Sequence, residues 1–178
     1  MKKFAALILC LLVSNSHSST ENDCDKLNTI NKKKAYEICL PLAINGNANA
    51  QFIIGSMYDR YGLDGKRDNY EEAMKWYKLA ANQGLIKAQI TVGSIYQAGY
   101  SIEQDSSEAL KWYLKAADKN NPEAQHNIGE MYCNYGLNGF SYNFDEAVKW
   151  HLLAAKQGYE ASQIKLGKLY EIKKQNYT

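Results

Sequence analysis

The chain has 178 residues, two prolines, 14 tyrosines and a formal net charge of +2. Its hydrophobic and charged fractions, 46% and 22%, are those of a globular protein and exclude wholesale disorder. A mean hydropathy of −0.50 and the lack of a long apolar run exclude a membrane-spanning domain, so the length allows one domain or a short array of repeated units.

The first segment is an address. Lys2 and Lys3 precede an apolar stretch from Phe4 to Val13, and small residues at Ser16 and Ser18 set up a cut after Ser18. This is the layout of a secretory signal peptide, so residues 1–18 are expected to be removed and the protein exported, to the periplasm or beyond. Without Lys2 and Lys3, 19 basic side chains face 19 acidic ones. A neutral mature chain has no basic stripe for nucleic acid and no membrane span. Cys24, Cys39 and Cys133 remain after the cut. An oxidising compartment favours a bridge, and Cys24–Cys39 is the preferred pairing, although three cysteines allow others. No CxxC occurs, which removes the usual redox and zinc patterns.

From residue 34 onward the chain repeats itself. Lys34–Gly46 has the form of a second-type element, with Ala35, Ile38, Cys39 and Ala43 at its apolar positions. Pro41 is expected to kink or weaken it. First-type elements follow as Ala50-Gln51-Phe52-Ile53-Ile54-Gly55-Ser56-Met57-Tyr58, then Ala88–Tyr96, Ala124–Tyr132 and Ser162–Tyr170. Their glycines, Gly55, Gly93, Gly129 and Gly167, are 38, 36 and 38 residues apart. Second-type elements run Glu72–Ala81, Glu108–Ala117 and Glu146–Ala155, with all three tryptophans, Trp76, Trp112 and Trp150, at one position. Ala73, Trp76, Tyr77 and Ala80 follow the helical i, i+3, i+4, i+7 pattern. Gly84, Asn120 and Gly158 stand where a left-handed C′ residue is wanted, and Ser107 and Asp145 where N-caps are expected. A glycine inside a helix costs about 1 kcal/mol against alanine, so its recurrence predicts close approach of the partner helix through the tryptophan or an alanine. Related loops, Tyr61–Gly65 and Tyr135–Gly139, read as turns; Asp64 and Asp68 lack the spacing of a calcium loop. Residues 19–30 are expected to form a short capping helix or an arm.

These units divide the chain into 1–18, signal; 19–46, an N-terminal half repeat; 47–84, 85–120 and 121–158, three full repeats; and 159–178, a C-terminal half repeat. Atypical half repeats at both ends suit a stack that must finish its core. The alanine–glutamine start, the glycine followed by tyrosine, and the Glu-Ala-x-x-Trp-Tyr-x-x-Ala-Ala helix resemble the Sel-one-like repeat family, a branch of the tetratricopeptide-like α-solenoids, over residues 35–171. The resemblance implies an all-α, right-handed α-solenoid of antiparallel helix pairs, with first helices on the concave side. It also implies an adaptor that holds other proteins, with exported bacterial members in envelope and host-facing roles. His151 at the second aromatic position and Asn120 at the C-terminal glycine depart from the pattern.

No catalytic, cofactor or metal site is expected. Ser162-Gln163-Ile164-Lys165 fits S-x-x-K but lacks its companion motifs, and Ser162 occupies the repeat's alanine position. His151 replaces a core tyrosine and is expected to be buried and hydrogen-bonded. His126 and Cys133, two turns apart, are too distant for one metal without a third ligand and are expected to be exposed. The variable positions of the first helices are Ile53, Ser56 and Asp59; Thr91, Ser94 and Gln97; Asn127, Glu130 and Cys133; and Lys165, Lys168 and Glu171. Each set is spaced by three and forms one helical stripe. Side by side the stripes are expected to make a polar groove for a partner protein or peptide. The competing functions are a cell-wall or β-lactam hydrolase, by analogy with a cysteine-rich branch of the family, and a structural oligomerising spacer.

Overall fold

The computed structural model describes residues 24, 32–61, 69–99, 102–133 and 142–175. The signal layout, residues 19–30 apart from Cys24, and the turns at 62–68 and 134–141 lie outside the described residues. Eight helices and no strand occur among the described residues: α1 (Lys32–Ile44), α2 (Ala48–Tyr61), α3 (Tyr70–Asn82), α4 (Ile86–Ala98), α5 (Ser106–Ala117), α6 (Pro122–Cys133), α7 (Phe144–Lys156) and α8 (Glu160–Gln175). They fall into two compact units, residues 1–85 and 86–178. Within each unit every helix packs on the next one along the chain.

The repeated sequence dictates the repeated local structure. Asn69, Asp105 and Asn143 cap α3, α5 and α7, accepting from the amides of Glu72, Glu108 and Glu146 at 3.3, 3.0 and 3.1 Å. The caps are thus not Ser107 and Asp145, which sit inside the first turn. Asn and Asp at the earlier position place the side-chain oxygen three residues before an acidic residue, as a capping motif requires. Asn47 and Asn121 cap α2 and α6 in the same way, at 2.8 and 2.9 Å. At the other ends, Gly84, Asn120 and Gly158 take φ of 86°, 58° and 83°. Their amides bond Ala81, Ala117 and Ala155, and the next amide bonds the alanine before, closing a Schellman turn each time. Helix α1 runs unbroken through Pro41, which lies on its exposed side. There the ring removes one amide donor without disturbing the buried face of the helix.

Unit 1 has a core of Ala35, Cys39, Leu42, Ala43, Ala50, Ile53, Ile54 and Met57, with Cys24 and the half-buried Trp76 packed against it. Cys24 and Cys39 are disulfide-bonded, with Cα atoms 5.4 Å apart. In unit 2, Ile90, Ala109, Tyr113, Ala116, Ala124, Ile128 and Met131 form the core, flanked by Tyr96, Tyr132 and Trp150. The amides of Asp105 and Asn143 donate to the carbonyls of Tyr96 and Tyr132, both at 3.0 Å. That bond ties the ends of α4 and α6 to the caps of α5 and α7, although the two connecting loops differ in length.

Candidate functional site

One arrangement recurs three times where a first helix meets its second helix. The bare backbone of Gly55, Gly93 and Gly129 lies against the rings of Tyr77, Tyr113 and His151. A Cβ at these glycines would fall 2.8, 2.7 and 2.8 Å from ring atoms. The ring received by the glycine is therefore the second aromatic and not the tryptophan; at Gly55 the Ala73 carbonyl also approaches, 3.2 Å from where a Cβ would lie. The second aromatic is the one whose position faces the first helix, with the tryptophan one residue round the helix and less deeply buried in all three repeats. The polar tip of each ring then reaches the residue four beyond the glycine. The Tyr77 hydroxyl donates to Asp59 at 3.1 Å, and the Tyr113 hydroxyl donates to Gln97 at 2.8 Å and pairs with Ser94 at 3.0 Å. The corresponding partners of His151 are Cys133 at 3.7 Å and Glu130 at 3.4 Å.

The third repeat thus carries a linked set of exchanges. With histidine in place of tyrosine, the ring is fully buried and its Nδ1 lies 3.2 Å from Ser162 Oγ. His126 is half-buried rather than exposed, and its Nδ1 lies 2.8 Å from the same hydroxyl. The two imidazoles meet edge to face, 5.1 Å between centroids, and the Tyr159 ring lies tilted to His126 at 5.2 Å. Lys165 binds Glu130 at 2.8 Å. Burial holds the pKa of His151 down from 6.5 to about 4, against the opposing pull of Glu130, and burial also lowers that of His126. Both rings are therefore neutral at physiological pH. Burial pushes the Cys133 thiol up, which keeps it protonated and a poor nucleophile. Cys133 is not disulfide-bonded.

The structure sorts the stripe residues. Ile53 is 3% exposed and belongs to the core of unit 1, so it leaves the surface stripe. It is covered because Ala35, Cys39, Leu42 and Ala43 of α1 share its cluster. The half-buried Ser56 bonds the Ile53 carbonyl, and Asp59 and Gln97 hold tyrosine hydroxyls, so these side chains serve the fold. Glu130 and Lys165 bind each other across α6 and α8. Ser94 is exposed but its hydroxyl pairs with that of Tyr113; Lys168 and Glu171 are exposed, and Thr91 and Asn127 are half-exposed. Ser162 is fully buried, with its hydroxyl engaged by two histidines and Lys165 engaged by Glu130. The S-x-x-K spacing therefore makes no serine–lysine pair. Recurrent glutamines, a feature the sequence shows without a role, are ties. Gln51 donates to the Ala43 carbonyl at 3.0 Å and accepts from Gln83 at 2.7 Å, and Gln157 repeats this on Gln125 at 2.8 Å.

The Sel1 repeat pattern matches residues 48–85, 86–121 and 122–159. Among solved structures, the chain is similar to a protective antigen of uropathogenic Escherichia coli strains that displays an SLR fold. That similarity has 37% identity and a TM-score of 0.65, over 75% of this chain and 28% of the antigen. A Sel1 repeat protein from Oxalobacter formigenes is 34% identical, with a TM-score of 0.70 over 85% of this chain and 60% of its own. A putative Sel1 repeat protein from Klebsiella pneumoniae, at 16% identity and a TM-score of 0.51, shares the fold. No match is found among curated proteins. The chain thus spans under a third of the first relative and three-fifths of the second. Three matched repeats over most of the described helices, with caps, glycine seats and ties recurring in register, show that the chain belongs to the Sel1 repeat family.

Proposed function

We propose that the protein is an exported scaffold that holds a partner protein or peptide along the exposed faces of its first helices, without catalysing a reaction. Sel1 repeat proteins generally act as protein–protein interaction scaffolds. The observation that carries the reading is the remaining stripe of unit 2. Thr91, Asn127, Lys168 and Glu171 differ in character from repeat to repeat, while the second-helix caps, the helix glycines and the C-terminal turns around them recur. Residues that vary on a constant frame set specificity rather than stability. Export is supported by the charged and apolar layout of residues 2–18 and by the Cys24–Cys39 bond, which persists in an oxidising compartment. One relative is described as a protective antigen, which agrees with a location outside the cytoplasm.

The test is affinity capture from envelope extracts and culture medium of the native organism. The protein is compared with a variant carrying Thr91→Arg, Lys168→Glu and Glu171→Lys. The expected outcome is loss of the captured partner with an unchanged melting temperature. Lys156→Glu, on the exposed side of α7, is expected to leave capture intact. Equal capture by all three proteins would remove the groove from the proposal.

A further inference from the structure

The polar cluster of the third repeat has a chemistry that scaffolding does not use. His126, Glu130 and His151 each place one ligand atom within 4.8 Å of those of the other two. From this geometry we propose that these three side chains bind a divalent first-row transition ion, Zn2+ foremost, with water completing the coordination.

The donor set is two imidazole nitrogens and one carboxylate oxygen, a combination that suits Zn2+ and leaves a fourth position open. His126 and Glu130 are four residues apart on α6 and so share a face, while His151 comes from α7. His151 Nε2 stands 3.4 Å from the Glu130 carboxylate. That is long for a hydrogen bond, and it equals the edge of a tetrahedron whose metal–ligand bonds are about 2.1 Å. Ser162 supplies the outer support. Its hydroxyl oxygen touches Nδ1 of both rings, at 2.8 and 3.2 Å, and has two lone pairs. It can therefore accept from both Nδ1–H groups, the tautomer that frees both Nε2 atoms for a metal. The site also accommodates positive charge: Lys165 already places its ammonium 2.8 Å from Glu130. Its side chain is 29% exposed and reaches solvent. An incoming cation takes the place of that ammonium at the carboxylate. Cys133, 3.7 Å from His151 Nε2, stands beside the set rather than in it.

The experiment is calorimetric titration of the untagged full chain, stripped with chelator, with Zn2+ alone. One ion per chain is expected, with a rise in melting temperature as binding favours the folded state. Glu130→Gln keeps the shape of a half-buried side chain and is expected to weaken binding by about a hundredfold. His126→Ala is expected to do the same, and Ser162→Ala to cost about tenfold through lost ring orientation. Lys165→Met is expected to tighten binding severalfold, since it removes the competing cation; a cluster with only a packing role would show no such gain. Absence of binding up to millimolar Zn2+, undiminished affinity in Glu130→Gln, or unchanged affinity in Lys165→Met would overturn the proposal.

Discussion

A glycine in mid-helix has opposite meanings at two places in this chain. At Gly93 a methyl group would lie 2.7 Å from the Tyr113 ring, whereas at Gly167 nothing stands within 4 Å. Gly167→Ala is therefore expected to stabilise by about 0.5–1 kcal/mol, the propensity gain alone. Gly93→Ala is expected to destabilise by about 1–3 kcal/mol, because a rigid ring must move. Urea unfolding of the two variants checks both signs. The buried histidines make a second prediction at this scale. Their folded pKa values are depressed, that of His151 to about 4. The unfolded chain accordingly takes up protons first. The stabilisation is present above about pH 6.5 and is lost as pH falls towards 4. In metal-free protein the midpoint of urea unfolding is expected to drop through that window. His126→Gln should make the fall shallower, since one of the two titrating rings is then gone. The spacing of residues shows that His151 stands in a tyrosine's place. It does not show that Ser162, 36 residues beyond His126, joins the two rings, because that meeting depends on how α6, α7 and α8 pack.

Each second helix is built from the same devices: a polar cap, an acidic residue three later bonded to a lysine, and a pair of small residues ending in a left-handed turn. The glutamate–lysine pairs, Glu72–Lys75, Glu108–Lys111 and Glu146–Lys149, are exposed and contribute little. The caps contribute more. Asp105→Ala is expected to cost about 1 kcal/mol in thermal or urea unfolding, since it leaves the Glu108 amide without its acceptor. Trp112 is 7% exposed and carries Lys115 over its ring at 3.7 Å. Trp112→Ala is expected to cost about 3–5 kcal/mol, and a variant of unchanged stability would contradict the packing described for α5. Helix existence and ends were legible because periodicity and left-handed positions are local properties. The N-caps were displaced by two residues because Ser107 and Asp145 are also good cap types, and only backbone geometry separates them from Asp105 and Asn143.

For the molecule as a whole, the two units differ in what secures them. Unit 1 is closed by the Cys24–Cys39 bond across 15 residues, and unit 2 by packing and by the third repeat's polar cluster. Reduction is expected to remove about 3 kcal/mol from unit 1 on the loop-entropy account. Hydrogen exchange with and without reductant is expected to show lost protection in α1 and α2, and little change in α6 to α8. At the end of α8, Ile164, Tyr170 and Ile172 are half-exposed or more, at 54%, 50% and 50%, beside the open Gly167. No second helix covers this first helix among the described residues.

The sequence by itself determined the helix pairs, their lengths, their C-terminal turns and the family, because each follows from residue types repeated at a fixed interval. It also marked the variable positions. Which of those positions reach solvent was decided only by tertiary structure. Ile53 turned into a core, Asp59 and Gln97 closed on tyrosine hydroxyls, and Glu130 met a lysine from the next first helix. The physical reason is that a polar side chain at a helix surface takes whichever partner the neighbouring helix brings within about 3 Å. That distance is a property of packing, and periodicity alone does not contain it.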